Sequence, residues 1–292
     1  MIDKPSGLTS HACVARIRRL LGIRRVGHGG TLDPAVTGVL PIAVGQATRL
    51  LPYLPGEKTY RGVIQLGVTT NTDDLEGEIV SRHPLPALSR TELEQAIAPF
   101  RGLIQQRPPQ VSAVHVDGER AHARARRGEH MDLPERAITI HRLHLLNWCP
   151  EQGQLSIEVH CSAGTYIRSL ARDLGQHLGC GGCLANLRRT QALGFQDAQA
   201  IPLPERLEPG VTSADPAALP LLPPEVALHH LPQRRLSPSE REDWSCGRWI
   251  TPGVDVESEA VVVLSDSGRM LGLGVPDEAG GLRPKVVFEA KG

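Results

Sequence analysis

The chain has 292 residues, 40% hydrophobic and only 3% aromatic, so it can bury a core of Leu, Val, Ile and Ala large enough for one large domain plus a small one. Its 32 basic and 32 acidic residues cancel, which excludes a protein held to a polyanion by net charge alone and directs attention to local charge. No apolar run approaches a membrane span. Six cysteines without a signal peptide or disulfide-like spacing predict reduced thiols and a cytoplasmic protein.

Thr9 or Ser10 can cap a helix running to about residue 21, with Ile17, Leu20 and Leu21 on one face, arginines on the other and Gly22 as its stop. Val39 to Val44 reads as a buried strand, and Tyr60 to Thr70 as a second, followed by turn residues from Asn71 to Gly77. Ser89 and Glu92 form a capping box opening a helix that buries Leu93, Ile97 and Phe100. Residues 102–136 hold two adjacent prolines and little periodicity. Strands from about Ile138 to Trp148 and from Leu155 to Cys161 flank the Gln152-Gly153 turn as a hairpin, and Thr165 is placed to cap a helix through about Leu178. A further strand is expected after Asn186. Cys180 and Cys183 form a lone C-x-x-C with no second pair and read as structural. Prolines recur from Ile201 to Pro232, forbidding long helices and marking an interdomain connection. Short strand-like runs at Ala260–Leu264, Leu271–Val275 and Lys285–Phe288 then predict a small β-domain or barrel.

The most unusual stretch is Gly27-His28-Gly29-Gly30-Thr31-Leu32-Asp33-Pro34. Three glycines in four residues permit positive φ and close approach by a large ligand, while Pro34 biases Asp33 toward an extended backbone. A carboxylate presented this way suits a nucleophile or an anion stabiliser, and a plain turn built on Asp and Pro fits the same residues. Arg16, Arg18, Arg19, Arg24 and Arg25 lead into the loop with no acid among them, and Arg120, Arg124, Arg126 and Arg127 form a second cluster. Two such runs point to a phosphate-binding surface.

Read together, Asp3-Lys4-Pro5-Ser6-Gly7-Leu8-Thr9-Ser10, the glycine loop, Lys58-Thr59-Tyr60-Arg61, Cys161-Ser162-Ala163-Gly164-Thr165-Tyr166-Ile167-Arg168 and Leu187-Arg188-Arg189 closely resemble the bacterial tRNA pseudouridine-55 synthases, the TruB-type family, in order and spacing over roughly the first 200 residues. The resemblance implies an α+β pseudouridine-synthase fold, with a mixed, largely antiparallel central sheet flanked by helices and a small C-terminal β-rich PUA-like domain. It places the catalytic domain at 1–228, with an RNA-binding thumb at about 106–134, and the PUA-like domain at 229–292. The implied reaction converts uridine in the T arm of tRNA to pseudouridine with no cofactor or metal, by a cytoplasmic, monomeric enzyme with no obligatory protein partner. By resemblance Asp33 is the catalytic nucleophile, and Arg168 pairs with it through a bidentate fork. Tyr60 is the stacking platform for a base turned out of the helix, and Tyr166 is a pocket tyrosine near the ribose. His28 helps displace the target nucleotide, Leu187 lines the uracil pocket, and Lys4 supports the catalytic loop. Base flipping costs a few kcal/mol, and an aromatic platform returns about 1–3 kcal/mol per base.

Two departures stand out. The chain starts almost on the Asp-Lys-Pro motif, so the short strand that usually precedes it is expected to be missing, and the thumb carries His115 and His122 where aromatic residues are common. Three other readings fit parts of the sequence: a non-catalytic RNA-binding or tRNA-folding protein, a synthase acting on another uridine or within a guide-RNA particle, and a glycoside hydrolase. A hydrolase would want a second carboxylate in a comparable motif, which the sequence does not offer.

Overall fold

The structure, a computed structural model, describes residues 1–112, 114–116, 118–125, 127–206, 219–251, 253, 258–277, 280–288 and 290, with the backbone alone of residues 115, 116, 120, 122 and 123. The expectation for His115 and His122 therefore lies outside the described side chains.

The N-terminal segment forms β1 (Ile2–Lys4), α1 (Ser10–Leu21), β2 (Val26–His28), β3 (Thr37–Leu40) and β4 (Ile42–Val44). The Thr9 hydroxyl accepts the Ala12 amide at the start of α1 and Gly22 ends it in the left-handed conformation, as the sequence predicts. The single strand expected from Val39 to Val44 is instead two. Pro41 has no amide to donate, so the chain leaves β3 there and β4 pairs with β2 in a separate ribbon. The Asp-Lys-Pro motif itself supplies a strand: β1 lies between β3 and a short later strand.

Next come β5 (Lys58–Leu66), β6 (Val68–Thr70), β7 (Ile79–Arg82), α2 (Arg90–Ile97) and β8 (Gly102–Gln106). Gly67 breaks the long strand expected from Tyr60 to Thr70, turning β6 away to pair with β7. The Ser89 capping box is present and α2 buries Leu93, Ala96 and Ile97, while Phe100 sits beyond it in a 3-10 turn. The segment expected to form the thumb holds β9 (His115–Val116), β10 (Glu119–Arg120) and α3 (Ala121–Ala125), regular pieces too short to leave a periodic signal. Then follow β11 (Arg136–Cys149), β12 (Gln154–Cys161), α4 (Ile167–His177), β13 (Gly182–Ala192), β14 (Phe195–Gln196) and β15 (Ile201–Pro202). Thr165 does not cap α4; Tyr166 is its N-cap residue without a side-chain bond. Cys180 and Cys183 are both buried and free.

One nine-stranded mixed sheet runs β15-β1-β3-β13-β5-β12-β11-β8, with β14 added to β13. Most neighbours are antiparallel; β1 with β15 and β3 with β13 are parallel. Ile64, Leu66, Leu155, Ile157 and Val159 face α2 and α4 across the main core. The C-terminal part has β16 (Gln233–Arg235), α5 (Pro238–Ser245), β17 (Val261–Leu264), β18 (Met270–Pro276) and β19 (Leu282–Val287), with the four strands in one sheet. One face of that sheet packs with Leu50 and Leu228, the other with Trp244. Among the described residues, no helix is long and apolar enough to cross a membrane.

Candidate active site

The glycine loop is fixed from behind and left open in front. Leu32 donates its amide to the Ser10 hydroxyl (2.8 Å), which donates in return to the Leu32 carbonyl (3.2 Å). Lys4 is fully buried, and its ammonium donates to the carbonyls of Pro5 (2.8 Å), Leu8 (2.6 Å) and Pro34 (3.0 Å). Gly7 donates its amide to the same Pro34 carbonyl. Burial lowers the Lys4 pKa, and the Asp33 charge opposes that shift. Asp33-Pro34-Ala35-Val36 is a turn with Pro at its second position, closed by the Val36 amide on the Asp33 carbonyl at 3.1 Å. Turn and presented carboxylate are thus one object: the turn consumes the backbone of Asp33 and leaves its side chain 43% exposed. Of the loop glycines, only Gly30 has positive φ, at +99°; Gly29 supplies room, since a Cβ there would fall 2.0 Å from Leu193 Cδ1.

Arg168 reaches this carboxylate from the first turn of α4. Its Nη2 lies 3.0 Å from Asp33 Oδ2 with the arginine side chain 7% exposed. The expected bidentate fork onto Asp33 is not formed. Nη1 instead donates to the Thr72 carbonyl (3.0 Å), Nη2 also to the Val111 carbonyl (2.9 Å), and Nε lies 3.6 Å from Asp74 Oδ2. A planar guanidinium with five donors can serve several acceptors, and here they hold it in one orientation. Four residues later on the helix, Arg172 pairs with Asp73 at 2.9 Å, so consecutive aspartates dock on consecutive turns of α4. Burial raises the Asp73 pKa against the pull of Arg172. The sequence offered no role for Asp73 and Asp74 beyond a turn, although two adjacent acids there were the available signal.

Tyr166 sits beside the pair. Gln106 holds both its backbone groups, donating to the carbonyl at 3.1 Å and accepting the amide at 2.8 Å, which explains how α4 starts without a side-chain cap. Burial raises the Tyr166 hydroxyl pKa, opposed by a hydrogen bond with Ser112. Gln106, at the base of the thumb, carries no sequence signal for this task. Tyr60 lies on β5 in the main core with Leu32, Val36 and Leu187, and is only 7% exposed. Burial pushes its hydroxyl up to about 12, partly offset by Arg189. His28 ends β2 with its ring edge-on to His11 (centroids 6.1 Å apart), and burial lowers its pKa, aided by the positive charge of Arg189. Leu187, on β13, is buried against Gly62 of β5.

Thumb arginines find partners inside the thumb. Arg124 binds Glu129 (2.8 Å), and Arg127 bridges Glu119 (2.6 Å) and Glu129 (2.8 Å). Arg126 and the Arg120 side chain lie outside the described residues.

Residues 18–167 match the N-terminal domain of the TruB family of pseudouridylate synthases, and residues 168–212 match the tRNA pseudouridylate synthase B C-terminal domain. The chain belongs to the TruB family. It is an isomerase of the pseudouridine synthase class. It is 88% identical to a protein named tRNA pseudouridine synthase B from Synechococcus sp. (strain WH7803), covering all of this chain and 97% of that one. A protein of the same name from Prochlorococcus marinus (strain MIT 9313) is 55% identical, over 100% and 98% of the two chains. Among solved structures, a chain of a Cbf5-Nop10-Gar1 complex superposes with a TM-score of 0.72 at 28% identity, covering 98% of this chain and 83% of that chain. The family membership and this likeness agree with the α+β sheet architecture read from the sequence.

Proposed function

We propose that this chain converts uridine 55 in the T arm of tRNA to pseudouridine, with Asp33 as the nucleophile acting on a base turned out of its stack. The observation that carries the reading is the Asp33 carboxylate, open to solvent on a backbone pinned from behind and held 3.0 Å from a buried arginine. The reaction breaks the N1–C1′ bond and forms C5–C1′; one proton leaves C5 and N1 gains one, so no atom is left over. Arg168 keeps the carboxylate aimed once RNA excludes water. Tyr60 and Leu187 form the wall against the base, Tyr166 stands toward the ribose, and His28 takes the side from which the nucleotide is displaced. Residues 1–228 act as the catalytic unit with a thumb over the RNA, and 229–292 as a PUA-like RNA-binding unit of a cytoplasmic monomer. The names of the relatives that match the whole chain support tRNA as substrate.

Incubation with an unmodified tRNA transcript, followed by pseudouridine mapping at nucleotide resolution, tests this. Modification at position 55 alone is expected, and Asp33→Asn should slow it by about 10⁴-fold or more while leaving tRNA affinity within about threefold. Modification at a different uridine, or an Asp33→Asn variant with substantial turnover, overturns the reading.

A further inference from the structure

Arg189 is a fully buried arginine that the functional reading above leaves without a task. It lies on β13 directly opposite Tyr60 of β5 and opposite Gly38 of β3. The strands approach so closely here that a Cβ on Gly38, whose φ is +107°, would lie 2.1 Å from the Arg189 carbonyl oxygen. The guanidinium therefore points between two walls of the site. Its Nε donates to the Val39 carbonyl at 2.8 Å and its Nη2 to the Gly30 carbonyl at 3.1 Å, tying the glycine loop to the central sheet. Its Nη1 makes no well-formed hydrogen bond among the described residues, although the guanidinium interacts with the Tyr60 hydroxyl, and a Cβ on Gly30 would lie 3.3 Å from both Nη1 and Lys58 Cε.

Among the described residues no carboxylate pairs with this guanidinium. Burying a guanidinium charge with no carboxylate to neutralise it is costly, so stability alone does not account for an arginine at this point. Its charge reaches around the loop: burial lowers the pKa values of Lys4, His28 and Lys58 and the Arg189 charge adds to each shift, while on the Tyr60 hydroxyl it partly offsets the upward push of burial.

We propose that Arg189 is a positioning residue for the reaction: by joining the Gly30 and Val39 carbonyls and facing the Tyr60 hydroxyl, it sets the Tyr60 wall of the nucleotide pocket in register with the Asp33 loop. The inference rests on the assignment of Asp33 as the catalytic centre for uridine isomerisation. Arginine is required because its planar fork serves two fixed carbonyls and still presents a third nitrogen, whereas a lysine ammonium supplies the charge without that geometry.

A double-mutant cycle tests it, with Arg189→Lys, Tyr60→Phe and the double variant compared for single-turnover pseudouridine formation at saturating tRNA transcript, tRNA affinity and thermal midpoint. Arg189→Lys is expected to lower the saturating rate about 30-fold with affinity within about threefold, and to cost less than about threefold when Tyr60 is already Phe, because residues acting as a unit are non-additive. Equal losses in both backgrounds, or a loss confined to affinity, overturn the proposal. Tyr60→Phe keeps the ring and gives a second route should Arg189→Lys fail to fold. If that variant retains the wild-type rate, the hydroxyl Arg189 faces has no part in the reaction and the proposal fails. Wild-type enzyme that forms no pseudouridine would instead count against the functional reading itself.

Discussion

Along α1 and the turn after it, Arg16, Arg18, Arg19, Arg24 and Arg25 make no ion pair among the described residues; Arg18 alone is tethered, donating to the Val26 carbonyl at 2.8 Å. In the thumb, Arg124 and Arg127 are each bonded to glutamates of the same segment. In sequence the two runs look equally suited to phosphate. In the fold, among the described side chains, the first run has charge to spare while Arg124 and Arg127 do not, and the first leads directly to the loop that carries Asp33. Charge bonded at home must give up those bonds before it can serve a ligand, and the exchange is close to neutral. We propose on this ground that the phosphate surface lies on the first run; Arg124 and Arg127 belong to a segment with its own small core of Ala121, Met131 and Leu133.

Removing the free charges should give the largest contrast. The triple variant Arg19→Ala, Arg24→Ala, Arg25→Ala is expected to weaken tRNA binding by about 10- to 100-fold at physiological salt and to reduce the slope of log affinity against log salt by about one per lost phosphate contact. An unchanged slope would return the phosphate role to some other surface. The thumb should answer more weakly: Arg124→Ala with Arg127→Ala is expected to change affinity by less than about threefold, with the slope nearly unaltered. Should the thumb variant lose as much slope as the first, the two clusters are equivalent and the contrast collapses.

Acid provides the smallest and sharpest separation. Arginine partners hold Glu119 and Glu129 below the usual carboxylate range, so the thumb pairs contribute above it and fail only as pH falls through it. His28 has the same sign in a higher pH window. Burial lowers its pKa below the ordinary 6.5, so the unfolded chain binds its proton first and stability falls as pH drops through the window under that value. Between about pH 7 and about pH 5.5 the thermal midpoint should fall slightly in the wild type and less in His28→Gln, while Glu129→Gln follows the wild type. Midpoints that track each other for His28→Gln and wild type would remove His28 as the cause.

The elements that could be read in advance were those decided by neighbours in the chain. Thr9 and Ser89 cap their helices, and β11 and β12 form the expected hairpin, because caps, turns and periodicity act over a few residues. The misreadings have local causes of the same kind: Pro41 and Gly67 each ended a strand that hydrophobicity alone would have continued. The candidate site was half legible. Its side chains Asp33, Arg168, Tyr60, Tyr166, His28 and Leu187 stand in recognisable motifs, and the turn at Asp33-Pro34 follows from its residue types. Which atoms meet was settled elsewhere. Arg168 divides its donors among Asp33, Asp74, Thr72 and Val111, and Arg189 is sealed between β3 and β5, because strand pairing gathers segments far apart in the chain and leaves no room for any other arrangement. The sequence by itself determined the chemistry available at each point, since side-chain type is local. Only the tertiary structure decided which charges were already bonded and which stayed free, since that depends on partners that no short-range pattern records.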